Sequence, residues 1–363
     1  MKLVHLYLFG IGNVGKTFIQ QILDSRPFFK SHHQLDVRIV GLANSSTVLT
    51  LEEGIDKEWK EIFDANGSPR DPQSFYRFSE TQEAIKIAVD ATASIELSRF
   101  YPEIAEHGFH IVTANKIANT LSQNFYDQLR SILKGKDLFF EYETNVGAGL
   151  PIVQTARDLY NSGERLFEIN GVFSGSLGYI FNRYSQEDVL FSEVVKDALE
   201  LGYTEPDPRE DLSGNDVARK LLVLAREAGL KLEFEDIAIE NLVTPNLRSA
   251  SLSEFLTDLP QLDSYFQERK NALKEDEVLR HLGQLHVQNR QLKVSLQAVR
   301  NDTPAGQLLG SDGFFEIYSE SYTQHPLVIK GAGAGREVTA RGLVSDIVKI
   351  SKIATSIEIS QIL

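Results

Sequence analysis

Cysteine is missing from this chain altogether. That removes disulfides, thiolate nucleophiles and cysteine-ligated zinc from the available chemistries. Histidine is sparse. Its eight residues include no HExxH pattern and no close pair at metal-binding spacing. The His32-His33 dipeptide cannot place both rings on one face of a regular element, and it reads as a loop feature. Basic residues are outnumbered, 37 Lys and Arg against 51 Asp and Glu, for a formal net charge of -14. Such a field repels phosphate backbones and anionic lipid, so neither nucleic acid nor membrane is an expected partner. Long apolar runs are absent too. The N-terminal MKLVHLYLFGIG reaches its glycines after a run too short to span a bilayer, and no signal-cleavage pattern follows. A soluble, cytoplasmic protein is the expectation. What remains is ordinary, 42% hydrophobic and 24% charged. The 363 residues suit two domains.

Leu3–Phe9 is a short, largely apolar run, as in a strand buried on both faces. Gly10-Ile11-Gly12-Asn13-Val14-Gly15 follows, and then Val14, Phe18, Ile19, Ile22 and Leu23 recur at helical spacing. Glycines between a strand and a helix permit a tight turn and close approach of the backbone to a pyrophosphate resting on the helix N-terminus. Further strands are expected at Val37–Ala43, Ile85–Ala91, Phe109–Thr113 and Leu138–Tyr142, with helices at Ile95–His107 and Leu121–Leu133. This alternation predicts a parallel, Rossmann-type sheet. Its strand ends offer Asn44-Ser45-Ser46, Thr92-Ala93-Ser94 and Asn115-Lys116 to a ligand beside the glycine loop. The end of the second strand carries no acid to reject a 2′-phosphate and no arginine to grip one, so NAD and NADP both remain open.

The pattern changes near ETNVGAGLP, Glu143–Pro151, a glycine-rich crossing into a second domain. Strands are expected at Phe167–Ser174, Leu292–Arg300 and Phe314–Tyr322, and a helix at Gly178–Tyr184. Without βαβ spacing these strands suit an antiparallel sheet. Gln261–Asp276 reads as a solvated helix face or linker. GAGAG, Gly331–Gly335, feeds a last helix over Val338–Ile353.

The most informative stretch is GYTEPDPREDLSGNDVARKL, Gly202–Leu221. Ser213 is the expected N-cap, with Asp216 at the third helical position in a variant capping box and Leu212 and Val217 as a hydrophobic staple. At ~100° per residue, Val217, Leu221, Leu224 and Ala228 form the buried stripe and Arg219 and Arg226 fall on the solvent side. Lys220 falls on the margin of the stripe, half desolvated, where it needs a carboxylate; Asp216 stands one turn before it. An ammonium beside a reacting carbonyl can protonate the alkoxide formed when an aldehyde accepts hydride. Other dehydrogenase chemistries thin out. No tyrosine has a lysine four places on, as short-chain dehydrogenases require, and there is no cysteine for a thiohemiacetal.

With GYTEPDPREDLSGNDVARKLL, ETNVGAGLP, FSGSLGYIFN, Asn115–Thr120 and GAGAGREVTARG assembled, the chain resembles a homoserine dehydrogenase nearly end to end. It is most similar to the dehydrogenase part of bifunctional aspartokinase–homoserine dehydrogenases. The resemblance implies NAD(P)-dependent interconversion of L-homoserine and L-aspartate 4-semialdehyde, a step toward threonine and methionine. Lys220 is implied as proton donor with Lys116 near nicotinamide and substrate, and Gly202, Glu205, Asp211 and Asp216 as the substrate set. The cofactor set comprises Gly10–Gly15, Asn44, Ser45, Thr92, Ser94, Lys116 and Gly335. A sodium or potassium ion is implied at Glu143, Val146, Ala148 and Leu150. The family pattern often has proline where Ala114 stands and a second lysine where Ile117 stands. The implied architecture is α/β: residues 1–149 with 325–363 bind dinucleotide, while 150–324 form an α+β domain that binds substrate and makes a homodimer. No room for a separate amino-acid-sensing domain is expected. The alternative from another class is a dinucleotide-sensing binding protein without catalysis, which has no use for Lys220 and Asp216 together.

Overall fold

The computed structural model describes residues 1–71, 73–80 and 83–362, with 356–362 as helix backbone alone. By its internal contacts the chain forms two units, Met1–Gly149 with Gly335–Leu363, and Leu150–Ala334.

The first unit holds a seven-stranded sheet: β1 (Lys2–Phe9), β2 (Leu35–Ala43), β3 (Thr47–Thr50), β4 (Ser68–Pro69), β5 (Ile85–Asp90), β6 (His110–Thr113) and β7 (Phe140–Glu141). Their spatial order is β4-β3-β2-β1-β5-β6-β7. β2, β1, β5, β6 and β7 run parallel, and β3 and β4 add an antiparallel edge beyond β2. β1 is the central strand, so its core from Val4 to Leu8 is buried on both faces. On one face the first helix, Asn13–Phe28, buries Phe18, Ile19 and Ile22 against Ala340, Leu343 and Ile347 of the C-terminal helix, Arg336–Ile362. Each large side chain so buried contributes about 1.5–3 kcal/mol. The expected helix Ile95–His107 is two pieces, Ile95–Arg99 and Tyr101–Glu106. Pro102 explains the break, since it has no N–H for the carbonyl of Ser98 and its ring crowds that carbonyl.

The second unit holds β8 (Leu166–Val172), β9 (Ile237–Ile239), β10 (Glu277–His286), β11 (Gln291–Arg300), β12 (Asp312–Ser319) and β13 (Leu327–Ala332), in the order β13-β12-β8-β10-β11-β9. All pairings are antiparallel except the short β9 on β11. β10 and β13 were not expected. β13 pairs with β12, so the return to the first unit starts at Gly335 rather than near His325. Helices Gly175–Gln186 and Asn215–Glu227 pack on β10. Helix Asp263–Asn271 is not merely a solvated face: Phe266 is fully buried and stacks on Phe191 at 3.6 Å.

Two details of helix Asn215–Glu227 differ from the sequence reading. Its N-cap is Gly214, not Ser213, which ends the preceding turn Pro208–Leu212; Asp216 is therefore at the second helical position. Gly214 has φ +74°, and a Cβ there would lie 3.1 Å from Ile239 and 3.2 Å from Val294, so both conformation and space call for glycine. Arg226 is buried rather than solvent-facing. It donates to the Leu232 carbonyl at 2.9 Å. The stripe argument assumed one packing partner. This helix has the second sheet on one side and helix Ile152–Asn161 on another, the latter tied by Arg157 to Glu227 at 2.8 Å.

Candidate active site

In the first unit the strand order reverses at β1, and the loops after β1 and β5 meet there. Ligands of open α/β sheets lie in such a crevice. Gly10 donates to the Ala43 carbonyl and Ala91 to the Phe9 carbonyl, both at 2.8 Å. A Cβ at Gly15 would come within 2.0 Å of the Gly10 carbonyl oxygen, so only glycine lets the helix start this close to the strand. Nothing lies within 4 Å of a Cβ built on Gly12. The helix has no side-chain cap and no acid in its first turn. Its first amides, on Asn13, Val14 and Gly15, have no carbonyl four residues back inside the helix. An anion-ready helix end beside an open glycine fits the pyrophosphate of a dinucleotide. A cavity of about 580 Å³ opens from Gly10, Ile11 and Gly12 toward Asn44, Ser45, Thr92 and Ser94.

The far wall of that cavity is organised by Asp90, which sequence reasoning missed. It ends β5, is 2% exposed, and accepts from the Thr92 amide (2.7 Å), the Tyr101 hydroxyl (2.7 Å) and Asn115 Nδ2 (3.1 Å). Burial raises its pKa against those hydrogen bonds. Thr92 Oγ1 then accepts from the Ser94 amide, and Ser94 Oγ caps the next helix at the Leu97 amide. Asn115 also donates to the Ser94 carbonyl and accepts from the Ile117 amide, which fixes the turn carrying the half-buried Lys116. A carboxylate that ends a strand and is read by residues on two loops has no signature in a single sequence.

In the second unit the carboxylates of the Gly202–Leu221 stretch have different surroundings. Asp207 caps the turn Pro208–Leu212 and pairs with Arg209 at 2.6 Å, and Glu210 is exposed. Asp211 turns inward, accepting from Ser176 Oγ at 2.6 Å and from the Glu205 amide at 2.9 Å. Burial raises its pKa, the two hydrogen bonds oppose this, and Asp216 nearby raises it further. Ser176 in turn meets Ser174 Oγ at 2.8 Å, so FSGSLGYIFN and the acidic loop are joined through side chains. Glu205 is exposed, and Gly202, at φ +73°, is exposed with nothing within 4 Å of a Cβ. Lys220 Nζ lies 2.7 Å from Asp216 Oδ2 and 2.8 Å from the carbonyl oxygen of Phe173, with its side chain 15% exposed. An ammonium has three donors. Two have partners among the described residues, and the third is left for something else.

The remaining expected residues lie around the crossing. Gly147 (φ +71°) and Ala148 (φ +56°) are consecutive left-handed residues, a turn that reorients successive carbonyls. The Glu143 amide donates to Asp346 Oδ2 at 3.1 Å. Burial, with Glu141 and Glu143 nearby, pushes the Asp346 carboxyl up to about 8. Val146 and Ala148 are buried; Leu150 begins the second unit, where it packs by Gly331. Among the described residues no three His, Cys, Asp or Glu side chains are placed to hold a metal, so a cation here would rest chiefly on main-chain carbonyls. Gly335 (φ +129°) accepts from the Thr339 amide as the C-terminal helix starts. Among the described residues no helix is long and apolar enough to cross a membrane.

Two family profiles cover the chain: residues 10–143 match "Homoserine dehydrogenase, NAD binding domain" and residues 151–348 match "Homoserine dehydrogenase". A bifunctional aspartokinase/homoserine dehydrogenase of the maize (Zea mays) chloroplast is 40% identical over 349 residues, 95% of this chain and 38% of the maize protein. The chain thus spans about two fifths of the length of such relatives. Among solved structures, a Candida auris protein of unknown function superposes with a TM-score of 0.89 at 35% identity, covering 97% of this chain and 99% of that one. A hyperthermophilic archaeal homoserine dehydrogenase in complex with NADPH superposes at 0.73 with 22% identity, covering 96% and 98%, and supports the fold.

Proposed function

This chain belongs to the homoserine dehydrogenase family of NAD(P)-dependent oxidoreductases, and from that premise we propose that it interconverts L-homoserine and L-aspartate 4-semialdehyde. The observation that carries the proposal is Lys220, held by Asp216 and the Phe173 carbonyl with one N–H to spare. When bound, the nicotinamide dinucleotide supplies hydride to the aldehyde or accepts it from the alcohol. Gly10–Gly15 and the first helix would hold its pyrophosphate, with Asn44, Ser45, Thr92 and Ser94 along the same cavity.

The chain's own residues then do proton work and binding. Lys220 uses its spare N–H on the carbonyl oxygen and gives up that proton as the oxygen becomes an alcohol; in the oxidative direction it takes the proton back. Asp216 holds the amine in line, and the Phe173 carbonyl fixes the second donor. Glu205 and Asp211, with the Gly202 turn beside them, receive the substrate ammonium. Lys116 adds positive charge near substrate and nicotinamide. The rigid Ser174–Ser176–Asp211–Glu205 chain supports this reading, because binding carboxylates work best when already positioned.

Three further assignments complete the proposal. A monovalent cation, sodium or potassium, sits on the carbonyls of the 143–150 crossing and steadies it. The second sheet forms a homodimer, as the family resemblance implies. The protein works in the cytoplasm. The test of the reaction is reduced-nucleotide oxidation on adding L-aspartate 4-semialdehyde. Binding without turnover would instead favour a dinucleotide sensor.

A further inference from the structure

We infer that Arg70, together with Ser45 and Ser46, forms the seat of a 2′-phosphate and makes NADP(H) the preferred dinucleotide; this rests on the dinucleotide reading above. The sequence offered no arginine at the end of β2, because Arg70 arrives there through the fold. Asn44 Oδ1 accepts from the Ser46 and Thr47 amides at 2.8 and 2.7 Å, and this turn sends the chain back along β2 as β3. β4 then pairs with β3 at Thr47 with Pro69 and Val48 with Ser68. The Arg70 amide donates to the Ser46 carbonyl at 2.8 Å, which pins Arg70 beside the β2 terminus.

Its guanidinium is uncommitted. Arg70 is exposed and forms no ion pair among the described residues, and its one side-chain hydrogen bond is a long 3.4 Å contact to the Asn44 carbonyl. By contrast, Arg38 of β2 pairs with Asp36 and Glu53, and Arg77 with Asp71. In a chain of net charge -14, an arginine without a carboxylate at a cavity mouth is a departure that asks for an anion. Arg70 and Ser45 line both the 580 Å³ cavity of the glycine loop and an adjoining one of about 450 Å³ that adds Phe75, Tyr76 and Phe100. Ser45 makes no hydrogen bond among the described residues, and the Ser46 hydroxyl makes only 3.3 Å contacts. A dinucleotide with its pyrophosphate on the first helix lays its adenosine ribose at the end of the second strand, where 2′-substituents are read. There this chain presents a planar fork of donors and two hydroxyls, the set that grips a phosphate dianion.

Two acids face the same space: Asp71 lines the smaller cavity, where its carboxylate is paired with Arg77. Glu96 lines both cavities and could instead accept a free ribose 2′-hydroxyl. It stands after β5, however, not at the end of β2, where the acid that selects NAD stands.

The test is equilibrium titration of the whole chain with NADPH, NADH and 2′,5′-ADP, followed by nucleotide fluorescence or calorimetry, with the Arg70→Ala and Glu96→Gln variants alongside. Wild type is expected to bind NADPH more tightly than NADH. Arg70→Ala should weaken NADPH and 2′,5′-ADP by about ten- to a hundredfold, the loss of a charged phosphate contact. Its NADH affinity should change less than twofold, and its melting temperature should hold because the side chain is exposed. Preference for NADH that Glu96→Gln abolishes, or equal weakening of both nucleotides by Arg70→Ala, overturns the inference alone. No saturable binding of either nucleotide overturns the dinucleotide reading and this inference with it.

Discussion

Replacing Lys220 with methionine keeps the aliphatic bulk and removes the ammonium. The structural cost follows from its two contacts. The Phe173 carbonyl belongs to a residue 2% exposed and loses a charged donor at 2.8 Å, a loss of about 1–3 kcal/mol. The Asp216 carboxylate is 48% exposed and stays hydrated, so its pairing contributes only about 0.2–1 kcal/mol. At roughly 2–4 °C per kcal/mol for a unit of this size, the melting temperature falls modestly and the fold survives. The kinetic cost is larger. Loss of a positioned general acid slows the chemical step by about 10²–10⁴-fold, which corresponds to ~3–5 kcal/mol of barrier. The assay is steady-state aldehyde reduction, with nucleotide affinity measured by titration and folding by circular dichroism. A kcat reduced at least a hundredfold, with nucleotide affinity unchanged, is expected. A kcat within tenfold of wild type, on a folded variant, refutes the role given to the amine.

Gly15→Ala puts a Cβ 2.0 Å from the Gly10 carbonyl, so the loop must shift by about 1 Å to reach any normal contact; nucleotide titration should show affinity lost more than tenfold. Asp211→Asn keeps the shape and can keep both contacts, one amide atom accepting from the Glu205 amide and the other donating to a reversed Ser176 hydroxyl, but it removes the carboxylate charge; initial-rate kinetics should show KM for the amino-acid substrate rising more than kcat falls. His281 is buried among Phe181 and its neighbours, both ring nitrogens are without hydrogen-bond partners among the described residues, and burial lowers its pKa from 6.5 to about 4. The folded state keeps it neutral while the unfolded chain takes up a proton below 6.5, so stability present above that pH is lost as pH falls toward 4. Denaturant melts at pH 7 and 5 should show His281→Leu losing about 2 kcal/mol less than wild type over that interval.

The parallel sheet was legible because its strands are short apolar runs separated by helical periodicity, and the glycine loop because its chemistry is local. Lys220 with Asp216 was legible because the two are one helical turn apart. Other features depend on contacts between distant segments. Asp90 matters through Thr92, Tyr101 and Asn115, which lie on three loops and helices. Arg70 reaches the end of β2 only by way of a three-stranded antiparallel edge. Arg226 looked exposed because helical angle reports one packing face, and this helix has more than one. The Ser213 cap failed because the short turn Pro208–Leu212 claimed that residue first and left a left-handed glycine to start the helix.

The central claim is that this chain moves hydride between a nicotinamide and the C4 of an aspartate-derived aldehyde, with Lys220 handling the proton. The most direct measurement follows the absorbance of reduced nucleotide as L-aspartate 4-semialdehyde is added to the purified protein, wild type beside Lys220→Met. Substrate-dependent oxidation by wild type that collapses in the variant is the predicted result. Saturable nucleotide binding with no oxidation by wild type contradicts the account.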